Sequence, residues 1–251
     1  MTTKSVAGRV FLLLDAFTES KPALTLSELS AAAGLPLSTT HRLAGELTAW
    51  GGLTKGTDGR YRIGLRLLEI GSLSPGSLSL RERAMPFLED LYEATRQNVQ
   101  LAVRDDLEVV YVERISARGA VNILTRVGSR MPLHAVGVGL VLLAHADADV
   151  RDRVFARPLE RFTEMTISSV AQLREILAST RRDGYVVSDR QLEMITKSIA
   201  APIRDAGNTV IAALSIVVPV ETDSRTLIPA VRAAGQGISR AMGWRPTTRP
   251  S

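Results

Sequence analysis

Residues 25–50, TLSELSAAAG followed by LPLSTTHRLAGELTAW, start a helix, stop it and start another. Thr25 and Glu28 have the spacing of a capping box, in which the threonine oxygen takes an early amide and the glutamate reaches back. Gly34 suits the left-handed residue that ends a helix. Pro36 suits the opening of the next helix, where its missing N–H costs nothing. Leu43 and Leu47 recur at helical spacing, with Trp50 one turn on. Two short helices joined by a tight glycine-containing turn make a helix-turn-helix.

The segment that follows, GGLTKGTDGRYRI at 51–63, changes period. Asp58-Gly59 is a strong signal for a two-residue hairpin turn, with Leu53-Thr54-Lys55 and Arg60-Tyr61-Arg62-Ile63 as its strands. A hairpin directly after the second helix of such a pair is a wing. Upstream, residues 4–19 place Val6, Val10, Leu13, Leu14 and Phe17 at helical spacing.

Beyond the wing, residues 71–79 (GSLSPGSLS) read as a linker or helix entry, and 80–96 return to helical spacing with Pro86 expected to kink or reset the run. VQLAVR and EVVYVERI predict two strands around Asp105-Asp106, and AVNILTRV (120–127) a third. HAVGVGLVLLAHA (134–146) is apolar nearly all round and predicts a buried helix. Residues 168–184 predict an amphipathic helix with a capping-box spacing from Ser169 to Gln172. YVVS, SIAAPIR and TVIAALSIVVPV predict strands, with a turn at Asp205–Asn208, and 224–243 a closing helix. The irregular alternation points to an α+β domain with an antiparallel sheet. The expected organisation is a winged helix-turn-helix over 1–72, a linker helix over 73–97 and a second domain over 98–251.

Composition excludes several alternatives. With no cysteine, the chain has no disulfide scaffold, thiolate metal site or cysteine nucleophile. His41, His134 and His145 are too scattered for a metal cluster, so neither metal nor cofactor is expected. Gly-x-Ser-x-Gly is absent, no nucleophile–base pair stands at a recognisable spacing, and Gly137-Val138-Gly139 lacks the third glycine and preceding strand of a dinucleotide site. An enzyme is therefore not expected. The N-terminal apolar run is broken by Asp15 and Glu19, and no stretch of about 18 uncharged apolar residues exists. A cytoplasmic protein without a membrane partner is the expectation.

A net charge of +5 permits a nucleic-acid partner without demanding one. In a helix-turn-helix the second helix enters the major groove with its N-terminal side chains towards the base edges. Those side chains here are Ser38, Thr39, Thr40, His41 and Arg42, and the wing adds Lys55, Arg60 and Arg62 for phosphates. Residues 42–66 hold five basic groups and two acids, an excess of +3 where such a fold needs it. The pattern also occurs in proteins that bind no DNA, so an interaction module with a non-binding winged helix stays open.

Three ordered blocks carry a resemblance: LTLSELSAAAGLPLSTTHRLAGELTAWGGLTKGTDGRYRIGLRLLEIG (24–71), RVGSRMPLHAVGVGLVLLA (126–144), and RRDGYVVSD (181–189) with SIAAPIRDAGNTVIAALSI (198–216). On these blocks the chain resembles the isocitrate-lyase-regulator-type (IclR) family of bacterial regulators. The resemblance implies a transcriptional repressor or activator with three parts: a winged helix, a dimerising linker helix (78–96), and an effector-binding domain similar to GAF and PAS folds. It further implies double-stranded operator DNA with two-fold pseudosymmetry and a homodimer or tetramer. The effector would be a small organic acid or aromatic metabolite. Its carboxylate would meet the amides of Gly137 and Val138 at a helix start, which favours an anion. Ser188, Ser198, Ser215 and Val217 fall at the family's other pocket positions. Ser188 replaces an Asp, Ser198 a Cys and Val217 a Ser, and Ile195 stands for a Gly. These departures imply an effector other than glyoxylate or pyruvate. The plain alternatives are serines that bond only backbone and glycines that only let a helix pack closely.

Overall fold

In a computed structural model of the chain, the described residues are 5–18, 20–73, 77–116, 119, 121 and 123–245. They form two compact units, residues 1–75 and 76–251, each with its own core.

In the first unit, α1 (Val6–Asp15) opens on Ser5, whose hydroxyl accepts from the Gly8 amide at 3.0 Å. A two-residue strand, β1 (Ala23–Leu24), leads into α2 (Leu26–Ala33), where Thr25 and Glu28 close the capping box and Gly34 ends the helix at φ +64. Next, α3 (Leu37–Trp50) starts at Pro36. The wing strands are β2 (Leu53–Lys55) and β3 (Tyr61–Ile63). Leu13, Leu29, Leu43, Leu47, Leu53 and Tyr61 share one core, which locks the helix pair to the wing. Trp50 lies outside that core and is 48% exposed.

The wing connection is longer than two residues. Lys55 pairs with Tyr61, and the loop 56–60 is closed by the Gly59 amide on the Gly56 carbonyl at 3.0 Å. Gly59 takes φ +71, the left-handed position that lets this longer loop return into the strand. β1 adds an edge strand on β3, an element too short to show a period in the sequence. After the wing, α4 (Leu65–Ser72) occupies a stretch that includes the start of the expected linker; residues 74–76 lie outside the described set.

In the second unit, α5 (Ser77–Thr95) is one helix that runs through Pro86 rather than restarting there. β4 (Asn98–Asp105) and β5 (Glu108–Ile115) form a hairpin, and β6 (Arg130–Pro132) joins the edge. Then come α6 (Gly137–Ala144), α7 (Ala148–Phe155) and α8 (Val170–Asp183). β7 (Val186–Asp189), β8 (Thr196–Arg204), β9 (Val210–Pro219) and α9 (Ile228–Ala241) complete the unit. The six strands are all antiparallel, in the order β6-β5-β4-β9-β8-β7.

Alternation along the strands gives the sheet two apolar faces. Leu101, Ile199, Ala201, Leu214 and Ile216 face α5 and α9, while Ala102, Val109, Ala200 and Ala213 face α6, α7 and α8. The stripe of α5 (Leu80, Ala84, Leu88, Leu91) is spent on this internal packing, so it gives no reason to expect a partner helix. Two local expectations fail, and one helix was not anticipated. The described part of 120–127 forms no strand; β5 bonds onward only from Gly128 and Ser129, after a glycine at φ +83, and the edge strand is β6. Its hold on the sheet comes through side chains, such as Asn98 Nδ2 on the Val121 carbonyl at 2.8 Å. The capping box from Ser169 to Gln172 does not form, since the Ser169 hydroxyl caps nothing. Helix α7 went unread because only Val150 and Val154 of it are buried.

Candidate functional site

The first unit presents a polar face on α3 and the wing. Ser38, His41 and Arg42 are exposed, and Thr39 is half-buried. Thr40 is a correction: it is 0% exposed, because the helical period that turns Leu43, Ala44 and Leu47 inward takes Thr40 with them. It faces the core and cannot touch a groove. Gly45 and Glu46 share the outer face, a feature visible in the helical period and not singled out from the sequence.

Each arginine of this face has an acidic neighbour. Arg42 Nη1 meets Glu46 Oε1 at 2.5 Å, one turn along α3. Arg62 holds Asp58 with two bonds, 3.1 and 2.6 Å. That guanidinium, with the Arg60 amide, keeps the Asp58 carboxyl well below the usual range. Arg60 instead ties the wing to the rest of the unit, through Glu28 Oε2 at 2.9 Å and the Ala23 carbonyl at 3.1 Å. Lys55 stands over the Tyr61 ring, 5.3 Å from its centroid. Exposed pairs of this kind hold weakly and exchange readily for phosphate oxygens. Ser38, His41, Arg42, Lys55 and Arg62 lie on this surface, while Arg60 also ties the wing to α2.

The second unit encloses a cavity between the α6 side of the sheet and the start of α6, with about 400 Å³ of atom-free space counting its mouth. All six pocket residues expected from the sequence line it: Gly137, Val138, Ser188, Ser198, Ser215 and Val217. Strand register explains how residues so far apart in sequence meet. Ser188 pairs with Ser198, and Ser198 with Val217, in one row across the sheet. The next row pairs Ala200 with Ser215 and Ser215 with Gln100.

The start of α6 leaves its first amides without partners among the described residues. Gly137 and Val138 are buried, no side chain caps the helix, and no described carbonyl takes their amides. The nearby hydroxyls of Ser188 and Ser198 have no partner among the described residues. A Cβ on Gly137 would strike the Ser198 hydroxyl, and one on Gly139 the Leu133 carbonyl. Close packing therefore requires Gly139, while Gly137 sets the helix end against the two serines.

The floor is neutral and polar. Ser215 Oγ donates to Gln100 Oε1 at 3.4 Å, Gln100 Nε2 donates to Thr125 Oγ1, and Tyr111 also lines the cavity. Burial pushes the Tyr111 phenol far above its ordinary range, so it stays protonated. Sequence reasoning missed Tyr111, Gln100 and Thr125. A bulge at Leu101/Ala102 sets Tyr111 opposite Ala102; unbroken alternation would have set Val112 there. Glu193 lines the wall, and burial pushes its carboxyl up, partly offset by the Leu124 amide.

A winged helix-turn-helix joined to a separate α+β domain with such a pocket defines the class of two-domain bacterial transcriptional regulators. Residues 6–56 match the IclR helix-turn-helix domain and residues 74–240 the bacterial transcriptional regulator IclR C-terminal domain. The chain belongs to the IclR family, whose members are regulators and not enzymes. It is 32% identical over 242 residues to the HTH-type transcriptional regulator XynR of Escherichia coli K12, covering 94% of this chain and 96% of that protein. To KipR of Bacillus subtilis it is 34% identical over 205 residues, 81% of this chain and 82% of that one. An IclR homolog from Microbacterium hydrocarbonoxydans, crystallised in complex with 4-hydroxybenzoate, superposes with a TM-score of 0.90 at 38% identity, over 95% of this chain and 99% of that one.

Proposed function

We propose that this chain is a cytoplasmic repressor or activator that binds operator DNA as a homodimer or tetramer, and that a small organic acid with an aromatic body sets its affinity. The observation that carries the effector half is the buried, uncapped start of α6 beside a neutral polar floor. Free amides at a helix start favour a carboxylate. Ile123, Val136, Leu192 and Val217 supply apolar wall for a ring. The relative crystallised with 4-hydroxybenzoate supports that choice of acid.

For the DNA half, α3 lies in the major groove with Ser38, His41 and Arg42 towards it, and Lys55 and Arg62 meet phosphates. Leu65 and Leu68 of α4 are 74% and 69% exposed, an apolar face that a second copy would cover. The test is an anisotropy titration on the intergenic DNA beside the protein's own gene, at two salt concentrations. Binding tighter than to scrambled DNA, and weakening as salt rises, is the expected result. Equal binding to both DNAs would leave the interaction-module reading in place.

A further inference from the structure

We propose that the side-chain carboxamide of Gln191 reads a hydroxyl group on the effector, which makes the pocket selective for a hydroxylated organic acid over the same acid without it. The proposal rests on the reading of the cavity as an effector site.

Gln191 follows the end of β7 and lines the cavity. Its backbone is pinned from outside the pocket. Thr166 Oγ1 donates to the Gln191 carbonyl at 2.6 Å, and Thr163 Oγ1 donates to the Arg190 carbonyl at 2.6 Å. Thr166 is itself fixed by the amides of Phe162 and Thr163, at 3.0 and 2.9 Å. The side chain takes no part in this scaffold. It is only 9% exposed, and its Oε1 is sealed from solvent with no hydrogen-bond partner. Gln100, Ser215 and Thr125 bond one another on the floor. Apart from the Ser188 and Ser198 hydroxyls beside the start of α6, Gln191 Oε1 is the buried cavity-lining atom left without a partner among the described residues.

A buried amide oxygen without a donor is costly, and a ligand that supplies one gains that cost back. A carboxylate cannot, because it only accepts. The effector's charge belongs instead at the free amides of α6. A hydroxyl fits, since it donates to Oε1 and accepts from Nε2 through the same atom. The residue is thus preorganised for one neutral group at a place other than the anion site.

The experiment is calorimetric titration of the full-length protein with benzoate and with 2-, 3- and 4-hydroxybenzoate, repeated on Gln191→Met. In the wild type at least one hydroxybenzoate should bind about tenfold or more tightly than benzoate. In Gln191→Met that gap should shrink to about twofold. Melting curves should show the variant as stable as the wild type, because the scaffold bonds are to backbone. Wild-type affinities equal within about twofold would overturn the proposal and leave the carboxamide to a trapped water, a comparison that needs no variant. A gap that survives in Gln191→Met would also overturn it, placing the hydroxyl elsewhere. If none of the four acids binds, the aromatic-acid reading fails first and the role of Gln191 falls with it.

Discussion

On the first unit the candidate contact groups stand outside, on one helix face and one hairpin, and they come from a short stretch of chain. Arg42 and Lys55 are exposed, and the arginines already rest in weak ion pairs with Glu46 and Asp58. In the second unit the corresponding groups are walled in. They come from five strands, the loops beside them and a helix start. An exposed charged face suits a polyanion, whose binding is dominated by counterion release and tolerates loose geometry. A walled pocket suits one small molecule, because each buried polar group left unmatched is costly. The contrast separates strength of DNA contact from choice of effector.

The largest effect that can break this comparison is loss of one core alone. Leu43→Ala removes a fully buried side chain from the first unit and should cost about 2–5 kcal/mol of its stability. Calorimetric binding of 4-hydroxybenzoate should stay unchanged; a parallel loss would show that the units do not hold their sites independently. Next is the face itself. Arg42→Ala should weaken operator binding by about 1–3 kcal/mol with effector affinity intact, read by anisotropy.

A smaller effect separates the units by pH. Burial lowers the imidazoles of His134 and His145 below their ordinary 6.5, only partly offset by bonds to the carbonyls of Glu160 and Val141. Their contribution to stability is complete above about pH 6.5 and is lost as pH falls through the folded values. In the first unit, Glu28 and Asp58 are lowered from 4.5 and 3.8, so their contribution holds until pH falls below those figures. Melting curves between about pH 6.5 and 5 should therefore show the second unit losing stability first. Glu193 has the opposite sign, since its raised pKa stabilises the folded state at low pH and is lost as pH rises, so His145→Gln is the variant that isolates the histidine part.

The smallest effect is Gly45→Ala. A Cβ there meets nothing within 4 Å, so alanine should raise first-unit stability by about 0.5–1 kcal/mol. If α3 lies in a groove, operator affinity should drop at the same time; a gain in both would move the contact face off Gly45.

The same contrast explains what was legible in the sequence. Thr25, Glu28 and Gly34 act within a few residues of where they stand, so the helix pair could be read directly, and Asp58-Gly59 marked the wing even though its loop is longer. Thr40 was grouped with its neighbours at the helix start, although the helical period set by Leu43 and Leu47 turns it inward. In the second unit Gly137, Ser198 and Ser215 could be placed only through the family resemblance. Tyr111, Gln100, Thr125 and Gln191 escaped because a bulge and long-range register bring them together, and neither leaves a local pattern. α7 and β6 escaped because they bury little or are only three residues long.

The most direct test measures operator affinity by anisotropy with and without 4-hydroxybenzoate, at a concentration calorimetry shows to be saturating. Effector control through the second unit predicts a change in operator affinity of about 5–150-fold, in either direction. Unchanged operator affinity in a protein demonstrably full of the acid would contradict it.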